Sequence, residues 1–154
     1  MKRYGMESDT KLAELRATAR RAMESAYSPY SGFRVGAAVE TVEGSVHAGC
    51  NVENASFSVT ICAERVAIGA AVTSGGRELR RVYVCSTSAE PVPPCGVCRQ
   101  ALSEFGPDLE VISEGMGGKV RTWTLADLLP EQFRLEEHVS GPRNEPGAGA
   151  EGHS

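Results

Sequence analysis

The stretch "ICAERVAIGAAVTSGGRELRRVYVCST", residues 61–87, decides the fold class because it joins a helical pattern to a strand pattern. Its first part sets branched apolar residues among alanines and ends in Gly75 and Gly76, a composition typical of a buried helix with a glycine stop. Residues 80–87 are a short β-branched run, which predicts a strand. A helix placed between strands indicates an α/β layer in which helices cover a mixed sheet.

The flanking sequence extends this pattern on both sides. Apolar residues at helical spacing predict a first helix with Ser8 or Asp9 as its N-cap, and alternating runs predict two antiparallel hairpins. The predicted elements are helix 9–27, strands 33–41 and 45–52, helix 61–76, strand 80–87, helix 95–106, and strands 109–114 and 120–125. Residues 1–137 are therefore expected to form one domain, and the polar, glycine-rich residues 138–154 a disordered tail.

Composition and charge exclude several function classes. The chain has 154 residues, 41% of them hydrophobic, and no apolar run reaches the roughly 18 residues that a membrane span needs. The formal net charge is -4 and the basic residues are scattered, which argues against a nucleic-acid partner and favours a small molecule. Five cysteines behind a start without a secretory signal predict reduced thiols and a cytoplasmic location.

Three of these cysteines are predicted to meet. Cys62, Cys95 and Cys98 fall in the first turns of two predicted helices, where free backbone N–H groups and the helix dipole favour a thiolate. Glu64 stands two residues beyond Cys62. A carboxylate beside a metal suits proton transfer to and from a metal-bound water, so the four residues indicate a catalytic zinc site.

Other interpretations of the cysteines stay open at this point. A C-x-x-C pair alone is also typical of a thioredoxin-like redox site. The three cysteines also fit a structural zinc site that is completed by His47, Cys50 or Cys85. Because Cys50 and Cys85 lie in predicted strands, small core residues are the expected role for both.

The sequence resembles the homotetrameric zinc-dependent cytidine deaminases of the cytidine/deoxycytidylate deaminase superfamily. The resemblance rests on "CAE" followed by "PCGVC", the zinc-deaminase pattern, and on motifs that extend beyond it. These motifs are "YSPYSGFRVGAAV" (27–39), "NVENASF" (51–57), "TICAERVAIGAAV" (60–72), "PPCGVCRQALSEFG" (93–106) and "TLADLLPEQF" (124–133). The fold that it implies is a three-layer α/β/α arrangement with a central five-stranded mixed sheet.

The resemblance also implies an activity and an assembly. The activity is hydrolytic deamination of cytidine and deoxycytidine to uridine and deoxyuridine, with release of ammonia, through a zinc-bound hydroxide in pyrimidine salvage. One Zn²⁺ per chain is expected on Cys62, Cys95 and Cys98, with Glu64 as the proton shuttle. The assembly is a homotetramer whose active sites are completed by neighbouring subunits, with a nucleoside as the only partner besides the chain itself.

Six further residues are implied to bind the substrate. Asn51 and Glu53 of "NVEN" would bind the ribose hydroxyls. Phe33 would pack on the nucleoside, and the backbone of Ala63 would contact the pyrimidine. Phe57 and Phe133 would close the pocket of a neighbouring subunit. Phe57 stands where many members of the family carry Tyr.

Two arginines follow from an electrostatic argument. Three thiolates around one Zn²⁺ carry a net negative charge, which weakens the metal as a Lewis acid. Arg65 and Arg99 each lie near a ligand at a helix start and are candidates to draw charge from sulfur. Two alternative functions remain: a deaminase of a modified nucleoside of the blasticidin S type, and a non-catalytic zinc-stabilised module in which Glu64 only caps a helix.

Overall fold

The structure is a computed structural model that describes residues 3–135. These residues form four α-helices and five β-strands, with a short 3-10 turn at Phe57–Val59. In chain order the elements are α1 (Arg3–Glu24), β1 (Val35–Thr41), β2 (Val46–Cys50), α2 (Ala63–Thr73), β3 (Leu79–Ser86), α3 (Gly96–Ser103), β4 (Glu110–Glu114), β5 (Val120–Thr124) and α4 (Leu125–Leu128).

The five strands form one mixed sheet in the order β2-β1-β3-β4-β5. β1 pairs antiparallel with both β2 and β3, and β4 pairs antiparallel with β5. β3 and β4 are parallel, and α3 lies in the crossover that parallel neighbours require. The predicted five-stranded mixed sheet, with its two antiparallel hairpins, is confirmed.

Helices cover both faces of the sheet and enclose two separate cores. α1 covers one face, where Leu15 is fully buried. α2 and α3 cover the other face, whose larger core includes Leu102. Because strand side chains alternate between faces, Ala37 and Val39 of β1 belong to the larger core, whereas Ala38 packs on the α1 side. This is the predicted three-layer α/β/α arrangement.

Two glycines bring the helices close to the first hairpin. A Cβ atom at Gly36 would lie only 2.1 Å from the carbonyl oxygen of Ala19 in α1. A Cβ atom at Gly49 would lie 2.4 Å from the carbonyl oxygen of Ala63 in α2. No other residue type fits at either position without moving a helix. Gly49 therefore seats the first turn of α2, which carries Glu64, directly on β2.

Helix ends are the part of the secondary structure that the sequence predicted least well. Ser8 and Asp9 lie inside α1, which already includes Arg3, so the predicted N-cap is wrong. No proline interrupts the residues before Ser8, and the helix continues through them. The 3-10 turn and the four-residue α4 were not predicted, since neither is long enough to show a periodicity.

The carboxy-terminal predictions fall outside the described residues. The domain boundary after residue 137 and the tail 138–154 both lie beyond residue 135 and stay predictions. Within residues 3–135, no helix is both long and apolar enough to cross a membrane.

Candidate active site

Two helices begin at the same edge of the sheet. α2 leads into β3 through residues 74–78, and α3 follows β3 after residues 87–95, so the N-termini of both helices lie near the carboxyl end of β3. Cys62 is the N-cap of α2 and Cys95 is the N-cap of α3. In α/β sheets ligands bind outside the carboxyl ends of strands, which makes this edge the candidate site.

The three sulfurs come together at these helix starts. The Sγ atoms of Cys62, Cys95 and Cys98 all lie within 4.8 Å of one another. Those of Cys62 and Cys95 are 3.9 Å apart. Cys98 is buried in the first turn of α3, Cys62 is partly exposed and Cys95 is exposed. The predicted grouping of three thiols at two helix starts is therefore present in the structure.

The residues considered as a fourth ligand lie elsewhere. Within residues 3–135, the one group of three or more metal-type side chains that meet consists of the three sulfurs alone, without His47. Cys85 is buried and donates to Glu114 at 3.8 Å, which confirms its predicted place in the core. Cys50, at the end of the edge strand β2, is partly exposed and donates to the carbonyl of Ser25 at 3.6 Å, so its predicted burial is wrong.

The sulfur cluster separates the pKa values of its own thiols. A hydrogen bond with Cys98 lowers the pKa of Cys62 to about 5, and Cys95 and Arg65 contribute further. The same hydrogen bond, together with burial, raises the pKa of Cys98 well above its usual range. The free cluster therefore favours a thiolate at Cys62 and a proton on Cys98, and metal binding releases that proton.

Glu64 is the second residue of α2 and is only 5% exposed. Burial raises the pKa of its carboxyl, and the negative charge of Cys62 raises it further. No lysine or arginine of the described residues forms an ion pair with it. A buried carboxyl without an ion-pair partner, whose pKa is raised, is suited to gain and lose a proton.

Arg65 lies against the sulfur cluster. Its Nη2 atom donates to the carbonyl oxygen of Thr60 at 2.9 Å, and its Nε atom is buried without a hydrogen-bond partner among the described groups. After Cys98 and Cys95, Arg65 is the next group that lowers the pKa of Cys62. This placement fits a cation that draws charge from a ligand sulfur.

Arg99 makes contacts of a different kind. Its Nε atom donates to the carbonyl oxygen of Pro94 at 2.7 Å, and its Nη1 atom donates to that of Leu128 at 2.9 Å. Both partners are backbone groups, and neither is a sulfur. The side chain holds two parts of the backbone together at the start of α3.

A cavity of about 430 Å³ lies beside the sulfurs. Its volume is in the range of roughly 300 to 1,000 Å³ found for small-molecule sites. Its lining contains residues predicted to contact the base and the ribose, to bind the metal and to transfer protons. The lining residues are Ser31, Phe33, Val35, Asn51, Glu53, Thr60, Cys62, Ala63, Glu64, Val84, Val92, Pro93 and Cys95. The structure thus brings most of the predicted site residues into one cavity.

Backbone bridges hold Asn51 and Glu53 at this cavity. The intervening Val52 pairs with Ile61 through two hydrogen bonds of 3.0 Å, which ties the "NVEN" segment to the residue before Cys62. The side chain of Asn51 accepts from the N–H of Val35 at 2.8 Å. Its amide also donates to the carbonyl of residue 33 at 2.8 Å.

Glu53 is held by the loop that precedes β1. Its carboxylate accepts from the N–H of Tyr30 at 2.8 Å, from the N–H of Ser31 at 3.2 Å and from the Ser31 hydroxyl. The Ser31 hydroxyl also accepts from the N–H of Phe33 at 2.9 Å. The hydroxyl bond is the main cause that lowers the pKa of Glu53, which keeps this carboxylate ionised.

The three predicted phenylalanines differ in position. Phe33 lines the cavity. Phe57 and Phe133 are 68% and 59% exposed and are absent from the cavity lining of this chain. The ring of Phe57 instead contacts Tyr30, with the ring centroids 6.0 Å apart.

Comparison with known proteins agrees with this arrangement. A family model described as the cytidine and deoxycytidylate deaminase zinc-binding region matches residues 9–114. The chain belongs to the cytidine and deoxycytidylate deaminase family. That match includes all three cysteines, Glu64 and the "NVEN" segment.

Members of the family are similar to this chain over most of its length. A cytidine deaminase of Halalkalibacterium halodurans is 44% identical over 117 residues, which are 75% of this chain and 89% of that protein. The crystal structure of a cytidine deaminase from Burkholderia pseudomallei matches with a TM-score of 0.75 and 45% identity, over 79% of this chain and 98% of that one. A blasticidin-S deaminase of Bacillus cereus is 34% identical over 107 residues, 64% of this chain and 76% of that protein.

The residues present fit zinc, the metal named for this family region. Zinc binds thiolates at about 2.3 Å in tetrahedral geometry, which separates two ligand sulfurs by roughly 3.8 Å. The 3.9 Å between the Cys62 and Cys95 sulfurs agrees with this spacing. Three protein ligands are also the number typical of a catalytic zinc centre of the deaminase family.

Two further residues hold predicted site residues in place and carry no signal in the sequence. Ser31 lies in the loop before β1, and its hydroxyl joins Glu53 to the backbone of Phe33. Gln100 lies in α3, and its side chain donates to the carbonyl of Phe133 at 2.9 Å. No local pattern identifies either residue, because each partner lies 22 or 33 positions away in the chain.

Proposed function

We propose that this protein removes the amino group of cytidine and deoxycytidine by zinc-dependent hydrolysis and releases uridine or deoxyuridine and ammonia. One observation carries the proposal. Glu64, buried and without a cationic partner among the described residues, shares a single cavity with two of the three clustered cysteines and with Asn51 and Glu53. The pyrimidine and ribose parts of a nucleoside can therefore be held while a proton is transferred at one end of the cavity.

Glu64 performs the proton transfers in this proposal. Cys62, Cys95 and Cys98 would hold the zinc, which would supply a Lewis acid able to lower the pKa of a bound water to roughly 7. Glu64 accepts the proton of the attacking water and donates it to the adjacent ring nitrogen. The oxygen of that water bonds to the ring carbon that carries the amino group. The exocyclic C–N bond then breaks, and the second proton of that oxygen passes through Glu64 to the amino group, so that ammonia leaves and a carbonyl remains.

The remaining cavity residues orient the substrate. Phe33 supplies an apolar surface for the nucleoside, and the backbone of Ala63 contacts the pyrimidine. Asn51 and Glu53 bind the ribose hydroxyls. Their support is that both are nearly buried at the cavity and already held by loop backbone, so little ordering is needed when substrate binds.

We also propose a homotetramer in which neighbouring subunits complete each active site. The support is the exposure of Phe57 and Phe133, two large apolar side chains that lie outside the cavity of their own chain. Exposed aromatic side chains of this size are typical of interaction surfaces. A role in pyrimidine salvage in the cytoplasm follows from the nucleoside substrate and from five cysteines that form no disulfide.

An ammonia-release assay on the zinc-loaded protein tests the activity. Cytidine and deoxycytidine are expected to be turned over, whereas blasticidin S and single-stranded DNA are not. The matched control is the same protein after zinc removal, which is expected to be inactive and to recover with added Zn²⁺. Preference for blasticidin S would favour the modified-nucleoside function, and no release from any substrate would favour the non-catalytic zinc module.

Sedimentation tests the assembly separately. The wild type is expected to sediment as a tetramer, and Phe57→Ser with Phe133→Ser is expected to weaken both assembly and activity. A monomer with full activity would contradict the proposal that neighbouring subunits complete the site.

A further inference from the structure

Two side chains that directly follow the ligand Cys98 reach the same distant segment. Arg99 donates through Nη1 to the carbonyl oxygen of Leu128 at 2.9 Å, and Gln100 donates through Nε2 to that of Phe133 at 2.9 Å. Residues 128–133 are called the carboxy-terminal segment below. Its two ends are therefore tied to consecutive residues of α3.

Arg99 also holds the loop that carries a second ligand. Its Nε atom donates to the carbonyl oxygen of Pro94 at 2.7 Å, and its own N–H donates to the carbonyl of Cys95 at 3.0 Å. Pro94 is fully buried and immediately precedes Cys95. A single guanidinium thus spans the backbone before one zinc ligand and the end of α4.

Two further hydrogen bonds anchor the segment. The N–H of Leu129 donates to the carbonyl of Leu125 at 2.9 Å, and the side chain of Gln132 donates to the carbonyl of Pro107 at 3.0 Å. Phe133 is held through its carbonyl, and the residue is 59% exposed. It is not part of the cavity lining of its own chain.

We infer that Arg99 and Gln100 are positioning residues that hold the carboxy-terminal segment in a fixed place relative to the zinc-ligand helix α3. The contribution of the Phe133 ring to a neighbouring cavity rests on the proposed function. The consequence is a constant distance, within one subunit, between its metal site and the carboxy-terminal segment whose Phe133 faces the neighbouring subunit. Arg99 then acts through geometry rather than by drawing charge from sulfur.

The two residues are separable by experiment because their contacts differ. The Arg99 side chain donates hydrogen bonds to both the ligand loop and the segment, whereas the Gln100 side chain donates to the segment. A change at Arg99 should therefore affect metal retention and the segment together. A change at Gln100 should affect the segment alone.

The experiment uses the zinc-loaded full chain with Arg99→Lys, Arg99→Gln and Gln100→Ala. Arg77→Gln is the matched control, since Arg77 also donates to backbone carbonyls, those of Val72 and Gly76, but at the far end of α2. The measurements are zinc transfer to a chelator, amide hydrogen exchange in residues 128–133, and the absorption spectrum of the Co²⁺-substituted protein. Kinetics with cytidine are measured in parallel.

Arg99→Lys cannot span both carbonyls, so zinc transfer should become about 10- to 100-fold faster and the Co²⁺ spectrum should shift. Exchange in the carboxy-terminal segment should speed up in both Arg99 variants and in Gln100→Ala. Gln100→Ala should keep the zinc transfer rate and the Co²⁺ spectrum of the wild type. It should raise KM for cytidine about fivefold with little change in kcat, which loss of stability alone would not do. Arg77→Gln should match the wild type throughout.

Unchanged zinc transfer and unchanged segment exchange in Arg99→Lys would overturn the inference. A shifted pH-rate profile with unchanged exchange would overturn it too, in favour of charge withdrawal. If Arg99→Gln fails to fold, zinc transfer and segment exchange in Arg99→Lys and Gln100→Ala still test the inference. A wild type without activity on cytidine would contradict the proposed function, while metal transfer and exchange would still decide this inference.

Discussion

Two buried glutamates lie on opposite faces of the sheet and are treated in opposite ways. Glu114, at the end of β4 on the α1 side, is 1% exposed. It accepts hydrogen bonds from Arg16 and Arg20 of α1 and from the hydroxyl of Tyr83 at 3.0 Å. The Arg16 guanidinium is the first cause that holds the pKa of Glu114 down, at about 2.

Glu64, on the α2 side, is 5% exposed and has no ion-pair partner among the described residues. Burial is the largest influence on its pKa and raises it, and the charge of Arg65 lowers it only in small part. The comparison teaches that burial does not decide what a carboxyl does. A carboxylate enclosed by cations is locked in one state and joins elements, whereas one without them can change protonation and serve catalysis.

The sharpest test exchanges both carboxyls for amides. Glu64→Gln keeps the shape but cannot carry a proton, so turnover is expected to fall by about 10² to 10⁴. Zinc content should stay at one per chain, and the unfolding temperature should equal or exceed that of the wild type, because a buried carboxyl is removed. Glu78→Gln, at an exposed glutamate, is the control. Activity retained by Glu64→Gln would end its assignment as the proton carrier.

Glu114→Gln should lower stability and leave turnover nearly unchanged. It leaves two arginines facing a neutral amide, and we expect the free energy of unfolding to fall by about 1 to 3 kcal/mol. This is below the cost for a fully buried pair because Arg16 and Arg20 are 46% and 48% exposed and can be solvated. Urea unfolding measures the loss, and kcat on cytidine should change little. A catalytic defect without a stability defect would break the comparison.

Acid unfolding sharpens the same contrast. The pKa of Glu114 is lowered from 4.5 to about 2 in the folded protein, so its contribution to stability is present above pH 4.5 and is lost as the pH falls toward 2. The difference in unfolding free energy between wild type and Glu114→Gln should therefore shrink over that range. A difference that stays constant with pH would mean that the arginines do not hold the carboxylate in its ionised form.

Substitutions of Arg65 test why this nearby cation does not hold Glu64 in its ionised form. Its guanidinium lies against Cys62 and Thr60, and we expect it to draw charge from the ligand sulfur. Arg65→Ala should keep its zinc but lose roughly 10-fold in turnover at neutral pH, with part regained as pH rises. The turnover of Arg65→Gln should lie between those of the wild type and Arg65→Ala. A pH-rate profile that superimposes on that of the wild type would refute charge withdrawal.

Glu53 is a third carboxylate, held by hydrogen bonds instead of cations, and Ser31 tests it. Ser31→Ala removes the hydroxyl that joins Glu53 to the N–H of Phe33. A loss of about 1 kcal/mol should raise KM for cytidine about fivefold, with kcat nearly unchanged. Thr73→Val is the control, since it removes a hydroxyl bond to Gly69 on α2 away from the cavity. An unchanged KM would mean that Ser31 does not position the ribose site.

Local sequence was sufficient for the order of the elements and for the cluster of three cysteines that fits a metal. The strands and α2 are recognisable from short runs of residues with alternating or helical spacing. The three predicted ligands lie at helix starts within two motifs, and Glu64 lies two residues from Cys62. These features need no knowledge of distant contacts. The weak points were the start of α1 and the four-residue α4, where no periodicity exists to be found.

The amino-acid sequence by itself thus determined the layered fold and predicted the three cysteines that meet and the glutamate beside them. Only the tertiary structure decided how each group is tuned. Arg16 reaches Glu114 across 98 positions, and Arg99 reaches Leu128 across 29. The pKa of a buried group and the position of a loop depend on distances of a few ångströms to charges and donors, and the fold sets those distances independently of separation along the chain.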